Sequence, residues 1–279
     1  MESKKKYKIV ASDLDGTFLM PDQSISKENM DAITKLRAHG VQFVPATGRT
    51  LSEIPKALLE SPDVRYFITS DGAAVYDKEQ KKMILSHYIP KDAVEFILET
   101  LAPYNTYLLT HESGVNHYDK QKHNAEYMDK CRVGQYFRDI IEASAVGVDG
   151  YDAFLKRSDA IEMFCVFFES AEAMRECKRI FNESGILCAA QSSDINLEVY
   201  MASAGKGKTL AAFADALNVD ISDVIAVGDS NNDEELVKAA GLGLAVENAT
   251  DALKAIADRV ICKNCEHSAK YIFENFIDE

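Results

Sequence analysis

The sequence predicts an α/β protein built on a doubly wound parallel sheet, with a second, α+β domain inserted into it. Short apolar runs that end in small or polar residues alternate with helical patterns, as buried parallel strands do with their crossover helices. The middle of the chain breaks this alternation. Of the 279 residues, 47% are apolar, which is enough for a sizeable core.

Five apolar runs are predicted to be the strands of the sheet. They are KIVASD, VQFVPATG, RYFITSDG, DVIAVGDS and LGLAVENA, with DRVICKN as a candidate sixth. Ser26 is the expected N-cap of the helix KENMDAITKLRAH, and Gly40 follows its end. In open α/β sheets ligands bind beyond the carboxyl ends of the strands. The polar residues at the strand ends are therefore predicted to converge on one edge: Asp13, Thr47, Ser70 and Asp229.

The middle of the chain is predicted to form the inserted domain, over residues 85–199, with residues 1–84 and 200–279 as the core domain. KKMILSHYI, KDAVEFILETLA, TYLLTHE and GVNHYD follow the order strand, helix, hairpin. DAIEMFCVFFES, AEAMRECKRIFNESG, ILCAAQ and INLEVYM repeat that order. The polar segment between the two units, QKHNAEYMDKCRVGQYFRDIIEASAV, is predicted to be mainly helical.

The formal charge of −14 opposes binding to nucleic-acid backbones or anionic membranes over a broad surface. No signal peptide or membrane span is predicted, so a cytoplasmic protein is expected. Lys4, Lys5 and Lys6 are interpreted as a solvated tail.

Neither the cysteines nor the histidines form a convincing metal site. The six cysteines lie mostly in apolar patterns and are expected to be reduced structural thiols, including the pair in CKNC. His111, His117 and His123 are close in sequence, but their spacing matches no common ligand pattern.

The segment DLDGT places two carboxylates, Asp13 and Asp15, at the end of the first strand. Side chains at i and i+2 face the same way, so both acids share one small volume. Such a pair is costly unless a cation lies between the acids or one of them holds a proton. With Mg²⁺ present, one carboxylate can attack phosphorus, and the other can protonate the leaving oxygen.

Two further segments supply groups suited to a metal and a phosphate. Asp229, Asn232 and Asp233 offer oxygen atoms to a hard cation at a second strand end. The stretch Thr47, Gly48 and Arg49 offers a hydroxyl, backbone amides and a cation to phosphate oxygens.

The stretch SAGKGKTL ends like a nucleotide-binding P-loop, with Gly207, Lys208 and Thr209. Its first glycine is missing, however, because Ala202 stands in that position. The P-loop motif is therefore only half present.

In this order DLDGT, ATGR, GKG and GDSNND resemble the motifs of haloacid dehalogenase (HAD) superfamily hydrolases, over nearly the whole chain. The likeness is to the Cof-like, subfamily IIB sugar-phosphatase branch, with a large cap after the third strand. The chain departs from this branch's usual pattern at Asp71, where asparagine is usual, at Glu247, where glycine is usual, and at Met201 and Ser203 before the GKG segment.

The resemblance implies a role for each matched residue. Asp13 would be the nucleophile that forms a phosphoaspartate, and Asp15 the general acid and then base. Phosphate would be held by Thr47, Gly48, Asn232, Lys206 and the backbone at Leu14. Mg²⁺ would be bound by Asp13, Asp229 and the Asp15 carbonyl, with Asp233 in support. Lys208 would then be an ordinary residue on a helix surface.

The function expected from the sequence is a Mg²⁺-dependent phosphatase that acts on phosphomonoesters of small metabolites, with sugar phosphates as the expected substrates, through an aspartyl phosphate. A phosphomutase of the same superfamily is the enzyme alternative, and these motifs do not separate the two. A receiver-like signalling module is disfavoured, because a switch needs neither a leaving-group acid nor a substrate lid. A catalytically silent binding protein is also disfavoured, because every chemical position is filled. The sequence does not predict the oligomeric state.

Overall fold

The computed structural model describes residues 7–193 and 196–278, which form two compact units. The first unit comprises the described residues up to Gly48, Pro55–Leu85 and residues 205–278, and the second comprises Arg49–Ile54 and the described part of Ser86–Ala204. Lys4, Lys5 and Lys6 lie outside the described residues.

The strands are β1 (Ile9–Ser12), β2 (Gln42–Pro45), β3 (Tyr66–Thr69), β4 (Ala74–Asp77), β5 (Lys82–Ser86), β6 (Thr106–Glu112), β7 (Val115–Asp119), β8 (Val146–Val148), β9 (Ile161–Phe168), β10 (Leu187–Ser193), β11 (Asn196–Met201), β12 (Val224–Gly228), β13 (Leu242–Ala245) and β14 (Arg259–Val260).

The α-helices are α1 (Lys27–Ala38), α2 (Lys56–Glu60), α3 (Lys91–Leu101), α4 (Ala125–Lys130), α5 (Gln135–Ser144), α6 (Tyr151–Arg157), α7 (Ala171–Glu183), α8 (Lys206–Ala216), α9 (Glu234–Ala239), α10 (Asp251–Ile256) and α11 (Ser268–Ile272). Among the described residues, none of these helices is long and apolar enough to cross a membrane.

The first unit is built on a parallel sheet with strand order β14-β13-β12-β1-β2. All four residues of β1 are buried, because the sheet is covered on both faces. On one face Ile9 and Ala11 pack in a cluster with Leu210 and Phe213 of α8. The predicted helix after Ser26 is present as α1, and the Ser26 side chain accepts a hydrogen bond from the Asn29 amide.

Two sequence predictions about strands need correction. RYFITSDG contributes β3, which pairs antiparallel with β4 and meets the parallel sheet through a single bridge between Ala46 and Ile68. KKMILSHYI, predicted to open the inserted domain, contributes β5, which belongs to the sheet β3-β4-β5. The segment predicted to be mainly helical, residues 121–146, contains α4 and α5; β8, which begins at its last residue, was not predicted.

The second unit has a six-stranded sheet, in the order β10-β11-β9-β6-β7-β8. Apolar clusters cover both of its faces. Phe164 and Val166 of β9 join one cluster, and Cys165 and Phe167 join the other. Strand β9 is buried along all eight residues for this reason, and its sequence is a nearly continuous apolar run.

Residues Arg49–Ile54 group with the second unit through the β6–β7 hairpin. The Ser52 amide donates a 2.9 Å hydrogen bond to the Gly114 carbonyl. The Asn116 side-chain amide donates to the Glu53 carboxylate at 2.6 Å. Glu162, fully buried on β9, accepts from the Gly114 amide at 2.8 Å.

Asp77 at the end of β4 is a buried carboxylate with a full set of donors. It accepts hydrogen bonds from the Arg65 guanidinium at 2.8 Å, from the backbone amides of Glu79 and Gln80, and from the Gln80 side chain. Burial alone would raise the pKa of Asp77, but these donors outweigh it and lower the pKa to about 2.

Asp77→Asn is expected to lower the free energy of unfolding near neutral pH by about 2 kcal/mol. Because the folded-state pKa is depressed, the stabilisation is present above the unfolded value of about 3.9 and is lost as the pH falls towards 2. Urea unfolding of both proteins over this pH range measures the difference. Asp31→Asn, in an exposed pair with Lys27, is the control and should change little. A difference independent of pH would contradict this account.

Candidate active site

The first predicted acid, Asp13, follows β1 directly and is 5% exposed. Its amide donates to the Val227 carbonyl of β12 at 3.0 Å, so the strand pairing holds Asp13 at the end of the sheet. Gly16 lies in the turn behind it, with φ of +78°. A Cβ at Gly16 would stand 2.4 Å from an oxygen of Asp229, so both the turn and the acid beside it require glycine.

The second predicted acidic segment follows β12, the parallel neighbour of β1. Asp229 accepts a hydrogen bond from the Thr17 hydroxyl at 3.2 Å. Asp233 is fully buried, and one of its oxygens accepts from the amides of Asp229 and Ser230 at 3.0 and 3.2 Å. The two strand ends thus bring Asp13, Asp229 and Asp233 together, with carboxylate oxygens within 4.8 Å of one another.

Lys206 is the cation of this cluster, and it is only 2% exposed. Its ammonium lies 2.8 Å from an oxygen of Asp13, 2.7 Å from Asp233 and 4.0 Å from Asp71. Burial alone would lower the pKa of Lys206, but the three carboxylates outweigh burial and raise it well above its usual value. Lys206 therefore remains charged.

The acids of the cluster are crowded even with Lys206 present. Burial and the neighbouring Asp233 raise the pKa of Asp13 well above its usual value, against the opposing effect of Lys206. Burial and Asp233 also raise the pKa of Asp229, to about 6. A cation bound here would relieve this repulsion.

The donor set fits a hard divalent cation. Oxygen Oδ2 of Asp13 is buried and has no hydrogen-bond partner among the described residues, so it can take a ligand. Carboxylates are the ligands that such ions prefer. Asp233 is placed differently, because one oxygen already binds Lys206 and the other binds two amides. That arrangement suits a residue that orients the ligands rather than one that binds the ion.

Close packing at the start of α8 explains why glycine follows Lys206. A Cβ at Gly207 would lie 2.2 Å from the Glu235 carbonyl, so glycine there lets α8 pack closely on α9. Lys208 points away from the cluster; its side chain is 56% exposed and pairs with Glu235 at 3.5 Å. The resemblance of this stretch to a P-loop therefore has another explanation. Gly207 is needed for helix packing, and the buried lysine is Lys206 rather than Lys208.

The residues predicted to hold phosphate are divided between the two units. Thr47 is 1% exposed in the first unit, where its amide donates to Ile68 and its carbonyl accepts from Asp71. Gly48 and Asn232 also belong to the first unit. Arg49 groups with the second unit, where its guanidinium lies 3.4 Å from the Tyr136 hydroxyl and 3.2 Å from the Glu53 carbonyl.

Asp71 is a site residue that the sequence reasoning did not assign. It lies in the first unit after β3, is 1% exposed, and approaches both Lys206 and Asn232. The sequence reveals the strand end, but the polar residue that it predicts there is Ser70. Ser70 and Asp71 both have positive φ, and this backbone conformation decides which of the two side chains faces Lys206. The hydrophobic pattern of the sequence does not reveal such a conformation.

The thiols and histidines form no cluster with metal-ligand geometry among the residues described. The cysteines of the described chain are free thiols; Cys131, Cys165 and Cys177 are buried, whereas Cys265 is exposed. His123 accepts or donates a 2.8 Å hydrogen bond with the Tyr107 hydroxyl, and His111 lies 3.8 Å from Glu53.

Nearly the whole chain is similar to known proteins of one family. The family model for haloacid dehalogenase-like hydrolases matches residues 10–272. A Bacillus subtilis protein, 5-amino-6-(5-phospho-D-ribitylamino)uracil phosphatase YcsE, is 30% identical over 264 residues, which is 93% of this chain and 91% of that protein.

Two solved structures share the fold. A haloacid dehalogenase-like hydrolase from B. subtilis superposes with a TM-score of 0.82 at 23% identity, covering 97% of this chain and 100% of that one. A sugar phosphatase of HAD subclass IIB superposes with a TM-score of 0.80 at 18% identity, covering 96% and 98%. The predicted fold class, a parallel-sheet α/β core with an additional α+β part, is confirmed.

Proposed function

The chain belongs to the haloacid dehalogenase-like hydrolase family, and on that premise we propose that it is a Mg²⁺-dependent phosphatase that hydrolyses phosphomonoesters of small metabolites, sugar phosphates foremost, through an aspartyl phosphate. The observation that carries the proposal is the environment of Asp13. One of its oxygens is held by Lys206 at 2.8 Å, while the other is buried without a partner among the described residues.

Asp13 is the nucleophile in this proposal. A carboxylate oxygen of Asp13 forms a bond to phosphorus as the bond from phosphorus to the leaving oxygen breaks. Lys206 offsets the repulsion between the carboxylate and the anionic phosphoryl group, and a buried position strengthens that effect. Asp233 holds Lys206 in place through one oxygen. Its other oxygen accepts hydrogen bonds from the amides of Asp229 and Ser230 and so fixes the loop after β12.

The phosphoryl oxygens would be held by Thr47, Gly48, Asn232 and the backbone at Leu14, together with Lys206. Mg²⁺ would be held by Asp13, Asp229 and the Asp15 carbonyl, with Asp233 in support. When bound, Mg²⁺ supplies positive charge that stabilises the phosphoryl group in the transition state. We assign a share of substrate selection to the inserted cap predicted over residues 85–199, because the chemical groups named above belong to the first unit.

Asp15 is the proposed general acid and base. It gives its proton to the leaving alkoxide, and it then takes a proton from the water that attacks the Asp13 phosphoanhydride. Its side chain is partly exposed, unlike that of Asp13, which suits a group that exchanges protons with solvent.

Asp15→Asn is expected to slow both chemical steps with an alkyl phosphate. With p-nitrophenyl phosphate the leaving group needs little acid assistance, so phosphorylation should persist and phosphoenzyme should accumulate. Rapid-quench measurement of the burst with each substrate tests this. Equal suppression of both substrates, with no trapped intermediate, would remove Asp15 from acid and base catalysis.

The function itself is tested by incubating the purified full-length protein with a panel of metabolite phosphates. Release of inorganic phosphate that needs Mg²⁺ and stops with EDTA is the expected result. Return of the phosphoryl group to the sugar at another carbon, without free phosphate, would instead identify a phosphomutase. No turnover of any phosphomonoester would contradict the proposal.

A further inference from the structure

One carboxylate oxygen of Asp71 has no partner among the residues that the structure describes. Its Oδ2 atom is buried and makes no hydrogen bond with any described residue, as is also true of Oδ2 of Asp13. A buried carboxylate oxygen without a donor is costly, and such atoms call for an explanation. For Asp13 the explanation is the chemistry proposed above, so the same question arises for Asp71.

The backbone at Asp71 is held in an unusual conformation. Ser70 and Asp71 have φ of +51° and +50°, in the left-handed region that costs energy for residues other than glycine. Both residues are buried, and the Asp71 amide is fixed by a 3.1 Å hydrogen bond to the Thr47 carbonyl. Strained residues of this kind concentrate where a side chain must be aimed at a ligand.

The other oxygen of Asp71 faces the groups proposed to bind phosphate. It lies 3.5 Å from the side-chain amide of Asn232 and 4.0 Å from the ammonium of Lys206. The second distance exceeds a hydrogen bond, and Lys206 already binds Asp13 and Asp233 at 2.8 and 2.7 Å. Asp13 and Asp233 therefore suffice to neutralise Lys206. The Asp71 carboxylate is left available to interact with another group.

A carboxylate beside a phosphate site repels the phosphate. It favours binding only when the rest of the ligand offers a hydrogen-bond donor or a positive charge. Asp71 and Asp13 both approach the Lys206 ammonium, at 4.0 and 2.8 Å, so a substrate that reaches the nucleophile also comes close to Asp71.

We propose that Asp71 is a specificity-determining residue, whose unpartnered carboxylate oxygen accepts a hydrogen bond from a hydroxyl or ammonium group on the part of the substrate that leaves. This inference rests on the proposed phosphatase function and narrows its substrate class to phosphomonoesters of polyols and amino alcohols. Esters of purely apolar alcohols are selected against, because they leave the buried carboxylate without a donor.

The test compares three alkyl phosphates on the full-length protein with Mg²⁺. Glycerol 3-phosphate carries hydroxyl donors, phosphoethanolamine carries an ammonium group, and propyl phosphate carries neither. The wild-type protein should prefer one or both donor-bearing esters to propyl phosphate in kcat/KM. The preferred donor distinguishes a polyol substrate from an amino alcohol substrate.

Asp71→Asn should reduce that preference by about 10- to 100-fold, the range expected for a hydrogen bond to a charged group. Asparagine tolerates the left-handed backbone as aspartate does, so the turn should be retained. Taking the ratio of two substrates on each protein cancels any general effect of the lost charge on phosphate binding. Asp71→Gly removes the side chain without backbone strain and should give the same loss, and Asp31→Asn should give none.

Failure of this inference can be told apart from failure of the phosphatase proposal. If the wild-type protein hydrolyses these esters without preference, or if Asp71→Asn lowers kcat/KM equally for all three, Asp71 does not select the leaving group. If the wild-type protein hydrolyses no phosphomonoester of any kind, the phosphatase proposal itself is wrong.

Discussion

Asp13→Asn is expected to reduce phosphatase turnover by roughly 10⁴-fold or more, the scale seen when a catalytic nucleophile is removed. The amide has almost the same shape as the carboxylate but is a poor nucleophile and a poor ligand for a hard cation. The loss should appear in kcat, because the group forms a bond to phosphorus rather than merely binding substrate.

The same substitution should not weaken the fold. Burial and the surrounding acids hold the pKa of Asp13 well above its usual value, which means that the site disfavours a charge there. A neutral amide relieves that repulsion while keeping an oxygen near Lys206. The thermal midpoint of the variant, measured without metal, should equal or exceed that of the wild-type protein.

Two measurements check this prediction. Phosphate release with the best substrate of the panel gives the loss in turnover, and thermal unfolding gives the stability. An active variant, with more than about a tenth of wild-type kcat, would exclude Asp13 as the nucleophile. An inactive variant that is also unfolded would leave a role in folding as the explanation and would contradict the stability argument.

Lys206→Ala is expected to lower turnover by about 10²- to 10⁴-fold, because it removes the cation that offsets the charge between nucleophile and phosphate. It also leaves Asp13 and Asp233 buried without their shared partner. Breaking such a buried pair costs about 3 kcal/mol of unfolding free energy. Unlike Asp13→Asn, this variant should therefore lose both activity and stability.

Lys208 provides a matched control two residues away. Its side chain is 56% exposed and its partner Glu235 is 41% exposed, so the pair contributes little. Lys208→Ala should change turnover less than about threefold and unfolding free energy by no more than about 0.5 kcal/mol. Comparable losses in the two variants, or ATP binding that depends on Lys208, would show that the stretch acts as a P-loop after all.

Lys206→Met separates charge from packing. Methionine fills much of the space of the lysine stem, so it should recover part of the lost stability without recovering turnover. Recovery of turnover in Lys206→Met would mean that the ammonium group has no electrostatic role.

The family, the fold class and the enzyme class, a phosphatase, were all predictable from the sequence and are confirmed by the comparisons. The reason is that the motifs follow buried strands, whose apolar runs are easy to recognise. Because parallel strands end at a common edge, DLDGT and GDSNND had to lie close together, and the structure places Asp13 and Asp229 within one acidic cluster. The catalytic roles of these residues stay predictions.

What the sequence did not predict depends on pairing and on backbone conformation. Strand β5 is only partly buried, and its sequence would suit a strand of either unit. Its pairing with β4 in the sheet β3-β4-β5 assigns it to that sheet, and this pairing is not visible in the sequence. Strand β8 has three residues, too few for a period to emerge. Arg49 follows Gly48 directly, yet its segment packs on the β6–β7 hairpin, a contact between residues more than 60 positions apart.

The strand order of the first unit has a consequence for synthesis on the ribosome. Strand β1 lies between β2 and β12, so the neighbour on one side emerges early and the other only after Gly228 has been made. The strands and helices of the second unit have all been synthesised once Met201 is made, so the second unit can assemble before β12 is synthesised. A chain that stops short of β12 would therefore present the edge of a buried strand, with unpaired backbone groups open to other chains.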